Sequence, residues 1–210
     1  MSPSITSNTY AGVITLNITG LTNAEKVVIQ KYLDLNANGS IDAGEPLIDA
    51  FKISDGGVMV IGGVTNINVP FDSNPTAGAI TTTLNFPVSM VLENIVGQQI
   101  IQLVSPTGRF SPVSATFTVT NTALSQSVSG IVYRNGIPLP NAVVVAQDQQ
   151  ANTPAAAAVA DNTGHYFLTL KPSNYALIAG APNYYYDQSL PPTVILTSGA
   201  FSTTKFGEHA

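Results

Sequence analysis

Oxygen-bearing side chains recur at fixed intervals in the segment DLNANGSIDAGE, from Asp34 to Glu45. The spacing fits the pattern D-x-[DN]-x-[DN]-G-x5-E of a calcium loop at every ligand position. The candidate ligands are the side chains of Asp34, Asn36, Asn38, Asp42 and Glu45 and the carbonyl of Ser40. All of them offer oxygen, which suits a hard cation of the size of calcium. Gly39, at the sixth position, permits the sharp turn that such a loop needs.

The residues on either side of this loop decide what a bound ion could do. A β-branched run, Val27 to Ile29, precedes the loop and Pro46 follows it directly, so we expect strand–loop–strand rather than the helix–loop–helix of a calcium sensor. An ion between two strands neutralises carboxylates and stiffens the loop, but it cannot open a pair of helices. Three acidic ligands predict a modest dissociation constant, about 10⁻⁴–10⁻³ M. The alternative is a hairpin turn that binds nothing, because Asn, Gly and Asp are common in turns.

The composition excludes several other functions. Of the 210 residues, 44% are hydrophobic and 9% are charged, and the formal net charge is −5. The chain can therefore bury a core, and it has no basic cluster for nucleic acid or anionic membranes. It contains no cysteine, which excludes disulfides, thiol catalysis and Cys-ligated zinc. Its apolar runs are shorter than the roughly 18–20 residues of a transmembrane helix, so no membrane insertion is expected.

The beginning of the chain, MSPSITSNTY, has neither the basic nor the apolar region of a secretory signal. If the parent protein is secreted, we expect its signal to lie upstream of this sequence.

The residues that could act in catalysis do not form a recognisable set. The histidines, His165 and His209, are not near a G-x-S-x-G motif, which the sequence lacks. The acidic residues outside the calcium loop are scattered over predicted turns, so they predict no carboxylate pair for glycoside hydrolysis. We therefore expect no enzymatic activity. Tyr184 to Tyr186 could form an aromatic platform for a sugar, although strand alternation favours core packing for part of this run.

Period-two alternation of apolar and polar residues dominates the chain, for example at 14–18 and 115–119. Turn signals such as Asn135-Gly136 separate the candidate strands. The other predicted strands are 26–33, 47–53, 57–61, 79–86, 99–104, 127–133, 141–147, 165–171, 175–180 and 193–197. Short strands at this spacing predict an all-β chain. The polar run 121–127 separates two tandem β-sandwiches, which are immunoglobulin-like or transthyretin-like and cover residues 1–124 and 125–210.

Two segments resemble known families. The segment QKYLDLNANGSIDAGEPLIDAFKI, within residues 26–53, resembles the calcium-loop β-sandwich modules of bacterial surface proteins. Residues 127–187 are similar to carboxypeptidase regulatory-like (transthyretin-like) domains, with SGIVYRNGIPLPNAVVVA followed by D-x-x-G-x-Y at 161–166 and APNY at 181–184. The first resemblance implies an immunoglobulin-like domain with a structural calcium ion. The second implies a β-sandwich that has no chemistry of its own.

These patterns together predict a non-catalytic structural module of a prokaryotic surface or secreted protein. It would serve as a stalk, spacer, adhesive or filament-forming segment that is stiffened by Ca²⁺. The expected partners are calcium and other surface-protein domains or copies of the chain, and the expected location is extracellular or at the cell surface. A carbohydrate- or ligand-binding accessory module of an extracellular hydrolase is the alternative. Polysaccharide binding that depends on Tyr185 would distinguish the two.

Overall fold

The computed structural model describes residues 1–86, 90–181, 184–185, 193–196 and 201–206. In these residues the regular elements are strands, apart from one helical turn, α1 (Met90–Glu93). The chain divides into two compact units, Met1–Thr120 and Asn121–Ala210. Each unit packs two sheets around a core of its own. The prediction of an all-β chain with two tandem β-sandwiches is confirmed.

The first unit is built on a five-stranded sheet. Its strands are β1 (Ile5–Ser7), β2 (Thr15–Ile18), β3 (Lys26–Asp34), β4 (Leu47–Ser54), β5 (Val60–Ile61), β6 (Val64–Thr65), β7 (Ile80–Thr83), β8 (Gly97–Val104) and β9 (Val113–Thr120). The large sheet has the order β1-β9-β8-β3-β4, and β2-β7 and β5-β6 form separate pairs. Within the large sheet, β1 and β9 are parallel and the other neighbours are antiparallel.

The core of the first unit lies between the large sheet and the β2-β7 pair. Alternation along β3 buries Val27 and Ile29, whereas Val28 and Gln30, on the other face of the sheet, are only half-buried. The core residues are Ile14, Leu16, Ile18, Val27, Ile29, Ile53, Ile80, Leu84, Ile101, Phe117 and Val119. Burial of these apolar side chains is the main favourable term for this unit.

The described residues of the second unit form nine strands in two sheets. They are β10 (Gln126–Arg134), β11 (Ile137–Pro138), β12 (Val143–Asp148), β13 (Thr153–Val159), β14 (His165–Leu170), β15 (Ser173–Ala181), β16 (Tyr184–Tyr185), β17 (Thr193–Leu196) and β18 (Phe201–Phe206). One sheet has the order β11-β10-β14, with β18 parallel to β10. The other has the order β13-β12-β15-β16, with β17 paired to β15.

The two walls of the second core differ in side-chain size. The β10-β14 sheet contributes Val128, Val132, Tyr166, Leu168 and Leu170, and the facing sheet contributes Ala142, Val144, Ala146, Ala160, Tyr175, Leu177 and Ala179. The turn at Asn135-Gly136 has positive φ angles of 50° and 77°, as a type I′ hairpin requires. Gly164 has a φ of 75°, and a Cβ there would lie 2.8 Å from the carbonyl oxygen of Val132, so only glycine fits.

An ion pair ties the turn before β3 to the loop after β8. Arg109 Nε donates to Glu25 Oε1 at 2.6 Å, and the backbone N–H of Thr22 donates to Glu25 Oε2 at 2.7 Å. The hydrogen bond from Arg109, followed by that from Thr22, lowers the pKa of Glu25 from 4.5 to about 2. The ionised form of Glu25 therefore stabilises the fold above about pH 4.5, and this contribution is lost as the pH falls towards 2.

Replacing Arg109 with glutamine is expected to move the pKa of Glu25 back towards 4.5, because the charge-assisted hydrogen bond is removed. NMR titration of the Glu25 side-chain carboxyl carbon measures this shift. Arg134→Gln, in the second unit, is the matched control and should leave the titration unchanged. A Glu25 pKa that stays near 2 in Arg109→Gln would show that the backbone donor is enough by itself.

Candidate metal centre

The loop 34–45 connects two antiparallel neighbours, β3 and β4. The pairing runs from Lys26 opposite Ser54 to Lys31 opposite Asp49, and a bulge then shifts the register. The backbone N–H of Leu33 donates to the carbonyl of Pro46 at 3.1 Å and closes the base of the loop. The prediction of strand–loop–strand is confirmed.

Asp34 lies at the end of β3 and is 3% exposed. Its Oδ1 accepts the backbone N–H of Asn38 at 3.2 Å, and its Oδ2 accepts the N–H of Gly39 at 2.7 Å. Gln98 of β8 donates to the same Oδ2 at 2.9 Å. Burial raises the pKa of Asp34, but these donors outweigh it and hold that pKa below its usual value. Asp34 is therefore a carboxylate at neutral pH.

Two local turns bring the amide side chains of the loop together. Asn36 Oδ1 accepts the N–H of Asn38 at 3.1 Å, and Asn38 Oδ1 accepts the N–H of Ser40 at 2.7 Å. The Nδ2 atoms of Asn36 and Asn38 both donate to Asp42 Oδ2, at 2.9 and 2.7 Å. The backbone reverses through left-handed conformations at Ala37 (φ 55°) and Gly39 (φ 78°). This turn is the reason that glycine is needed at position 39.

Glu45 closes the loop from its C-terminal end. Its Oε1 accepts the backbone N–H of Leu35 and its Oε2 accepts that of Asp42, each at 3.0 Å. The N–H of Glu45 in turn donates to the carbonyl of Asp42 at 3.3 Å. The Glu45 carboxylate thus bridges the two halves of the loop.

The predicted ligand atoms of this loop are all oxygens, which is the ligand type that calcium prefers. In five of the six predicted ligand residues, side-chain oxygens accept hydrogen bonds from N–H groups of the loop. The sixth residue, Ser40, donates its backbone N–H. A carboxylate or amide oxygen that accepts one N–H keeps a lone pair for a cation. Asp34 Oδ2 and Asp42 Oδ2 each accept two donors, so the free lone pairs of these two residues lie on their Oδ1 atoms. Across the described residues, no three His, Cys, Asp or Glu side chains lie close enough to hold a metal ion. Coordination in this loop would therefore depend on amide and carbonyl oxygens as much as on carboxylates.

Sequence reasoning missed one contributor to this site, Gln98. It reaches Asp34 from β8, and no pattern in the sequence connects positions 34 and 98. On the other side of the loop, a Cβ on Gly39 would lie 3.8 Å from Thr116 Cγ2 of β9. The loop is thus positioned by the large sheet as well as by its own turns.

The other candidate residues lie elsewhere. His165 is exposed at the start of β14, where its backbone N–H donates to Asp161 Oδ1 at 3.0 Å. His209, Tyr186 and the side chains of Tyr184 and Tyr185 lie outside the described residues. The carbohydrate platform therefore stays a prediction. In the described part of the chain, no helix has the length and apolar character needed to cross a membrane.

Comparison with known proteins gives no family model and no curated protein that matches, so the resemblance of 127–187 to carboxypeptidase regulatory-like domains stays a prediction. The structure is similar to those of three bacterial pilins. The D312A variant of BcpA, the major pilin subunit of Bacillus cereus, is 13% identical with a TM-score of 0.28, and the match covers 96% of this chain and 66% of that one, just under two thirds.

The second of these is GBS52, the minor pilin of Streptococcus agalactiae, which is 14% identical with a TM-score of 0.31, over 88% of this chain and 83% of that one. The third is the shaft pilin SpaA of Lactobacillus rhamnosus GG, which is 11% identical with a TM-score of 0.29, over 92% and 97%. Likeness at this level concerns the all-β fold alone.

Proposed function

We propose that this chain is a non-catalytic structural segment of a surface or secreted protein, that it transmits tension, and that calcium stiffens its first unit. The observation that carries the proposal is the same in both units. The first strand of each unit pairs in parallel with the last, β1 with β9 and β10 with β18.

The pairing of β1 with β9 places the two ends of the first unit at opposite ends of one strand pair. Ile5 lies opposite Thr118, and Ser7 lies opposite Thr120. The N–H of Thr118 donates to Ser4 O and the N–H of Asn8 donates to Thr120 O, both at 3.0 Å. Tension along the chain acts on the N-terminal end of β1 and on the C-terminal end of β9. Because the two strands are parallel, these ends lie at opposite ends of the pair. The tension therefore slides β1 against β9 and loads all the hydrogen bonds between them at the same time.

The second unit repeats this arrangement with a longer pairing. Ser127 lies opposite Phe201, and the register continues without a shift to Val132 opposite Phe206. Tension that enters before β10 and leaves after β18 is therefore also directed along a parallel pair. Two units that share this topology are suited to a stalk, a spacer or a filament segment.

The tensile role predicts that resistance depends on the direction of pulling. Since the chain has no cysteine, pairs of cysteines introduced for attachment are unique. Ser4→Cys with Asn121→Cys pulls β1 and β9 in shear, whereas Ser4→Cys with Ser111→Cys peels β1 from its N-terminal end. We expect a higher unfolding force for the first pair in single-molecule force spectroscopy. Equal forces for the two pairs would argue against a tensile role.

Calcium would act at the hairpin between β3 and β4. An ion held by Asp34, Asn36, Asn38, Ser40, Asp42 and Glu45 would offset the negative charge of the loop and join the end of β3 to the beginning of β4. A loop of modest affinity is filled where free calcium is in the millimolar range, as outside cells. This supports an extracellular location and, as partners, calcium, other surface-protein domains or copies of the chain.

Calcium is expected to raise the thermal stability of the first unit. With a dissociation constant of about 0.1 mM and about 2 mM calcium, binding linkage gives about 1.8 kcal/mol. Calorimetric melts in calcium and in excess EDTA measure the effect. The double variant Asp34→Ala, Glu45→Ala should abolish it, whereas Asp161→Asn, in a turn of the second unit, should retain it. An equal response in the double variant and the wild type would place calcium elsewhere.

A further inference from the structure

An exposed apolar hairpin, β5-β6, lies between β4 and β7 in the first unit. The segment 56–71 that contains it has no charged side chain. Large hydrophobic side chains in this segment are 50–70% exposed: Val58, Met59, Val60, Ile61, Val64 and Ile67. Single exposed hydrophobic residues are common on protein surfaces, but six within ten consecutive residues form a patch.

The hairpin has regular geometry. Gly62 and Gly63 join its strands with φ angles of 60° and 81°, as a type I′ turn requires. Ile61 lies directly opposite Val64. Met59 lies two positions before Ile61 and therefore on the same face. One face of the hairpin thus presents Met59, Ile61 and Val64 to solvent.

Two buried carboxylates hold the base of the hairpin. Asp72 Oδ2 accepts the N–H of Gly56 at 2.8 Å, and the N–H of Asp72 donates to the carbonyl of Gly57 at 2.9 Å. Asp55 Oδ2 accepts the N–H of Gly78 at 3.0 Å. The aspartates are 7% and 5% exposed at positions 55 and 72. The points where the segment leaves and rejoins the unit are therefore fixed, and the apolar side chains are carried on an ordered base.

The strands of the hairpin have no further partner strand. Among the described residues, β5 and β6 pair only with each other. A two-stranded hairpin without a third strand or a core against it is marginally stable in water. Strand edges that carry no charge or proline also pair readily with other chains. A second apolar surface on the hairpin would therefore stabilise it.

A second copy of the chain fits this surface by area and by charge. The six side chains expose about 600 Å², so two copies in contact would bury about 1,200 Å², the lower limit for a specific interface. Two chains with a net charge of −5 repel each other, and the repulsion is weakest where uncharged segments meet. A membrane fits less well, because the segment has no basic residue for anionic lipids.

We propose that two copies of the chain associate hairpin to hairpin around a twofold axis, with Ile61 and Val64 at the centre. In such an interface the same residues of both copies meet. The proposal rests on the part of the proposed function that names copies of the chain as partners, and it identifies the surface that they use. Single-molecule pulling acts on isolated chains, so the tensile role can fail while association holds, and the reverse.

Sedimentation equilibrium of the full chain from about 1 μM to about 1 mM tests the proposal. The wild type should change from monomer to dimer as its concentration rises. Ile61→Lys should raise the dimer Kd at least about 100-fold, because two lysines then face each other at the axis. Ile137→Lys in the second unit is the matched control. It places the same charge at an isoleucine that is 69% exposed, and it should leave the Kd unchanged.

A mixture of two variants tests whether the hairpins contact each other. Ile61→Lys and Ile61→Glu should each stay monomeric, whereas an equimolar mixture should form a heterodimer because the facing charges are then opposite. Circular dichroism checks that each variant keeps its fold, which is expected because Ile61 is exposed in the wild type.

Three results would overturn the proposal. The first is a wild type that stays monomeric at every concentration. The second is a dimer that Ile61→Lys weakens no more than Ile137→Lys does, or a mixture of the two charge variants that stays monomeric. The third is a monomeric wild type that floats with phosphatidylcholine vesicles while Ile61→Lys does not. That result would assign the hairpin to a lipid surface.

Discussion

Replacing Lys31 with methionine is expected to destabilise the first unit by about 3–5 kcal/mol at neutral pH. Lys31 Nζ lies 2.7 Å from the buried Glu93 Oε2, and Lys31 is the cross-strand partner of Asp49, so the three side chains form one cluster. Methionine fills a similar volume, but it leaves the buried Glu93 and the half-buried Asp49 without a cation. Removal of one partner from a buried pair is costly because the other charge stays desolvated.

The loss in Lys31→Met should depend on pH in a defined direction. Burial already raises the pKa of Glu93 and of Asp49, and Lys31 opposes that rise. Without Lys31 both pKa values rise further. An acid whose folded-state pKa is raised has no cost below its unfolded pKa, and its cost grows as the pH rises above that value. The variant should therefore lose less stability near pH 4 than near pH 7.

Urea unfolding at the two pH values measures both effects. The double variant Lys31→Met, Glu93→Leu is the matched control, because it removes a buried acid together with the cation. It should recover part of the loss, and its stability should depend less on pH. A Lys31→Met protein as stable as the wild type at pH 7 would show that the cluster makes no contribution to stability.

Replacing Phe117 with alanine is expected to cost the first unit about 3–5 kcal/mol. Phe117 is 0% exposed, lies in β9 opposite Gln99 of β8, and belongs to the core between the two sheets. Alanine removes the ring and leaves a cavity that the neighbouring strands cannot close. Val113→Ala, on the same strand but 59% exposed in the wild type, should change stability by less than about 0.5 kcal/mol.

Chemical denaturation of both variants, followed by circular dichroism, tests this difference. Similar losses for Phe117→Ala and Val113→Ala would mean that β9 does not form the inner wall of the sandwich. A loss confined to Phe117→Ala would support the placement of Phe117 on the buried face of β9.

Strands with clear alternation could be predicted from the sequence because one face of each is buried. The segments 14–18 and 115–119 are examples, and both lie in or beside observed strands, β2 and β9. β13, with the sequence TPAAAAV, was not predicted, since alanine has a low strand propensity and the run has no alternation. It becomes a strand because it pairs with β12 along nearly its whole length.

The predicted strand at 57–61 shows the opposite error. Only Val60 and Ile61 are extended there, and they pair with β6 in a separate exposed hairpin. β-branched residues favour a strand locally, but no sheet is adjacent to extend it. Local propensity could not indicate that this segment lies away from the core.

The candidate metal loop could be predicted because all its ligand positions lie within twelve consecutive residues. The cluster of Lys31, Asp49 and Glu93 could not. Lys31 meets Asp49 only because of the register of β3 with β4, and a shift occurs at the next position. Glu93 comes from α1, which is distant in the sequence. Contacts that depend on register and on non-local packing leave no local pattern.

The uneven walls of the second core determine how this unit can diverge in evolution. Ala142, Ala146, Ala160 and Ala179 are each at most 2% exposed and belong to the core that Tyr166 and Leu168 enter from the other sheet. A larger side chain at any of them overpacks the core, at a typical cost of about 1–3 kcal/mol. Related sequences should therefore retain small residues at these positions, while the large side chains opposite can exchange for others of similar volume.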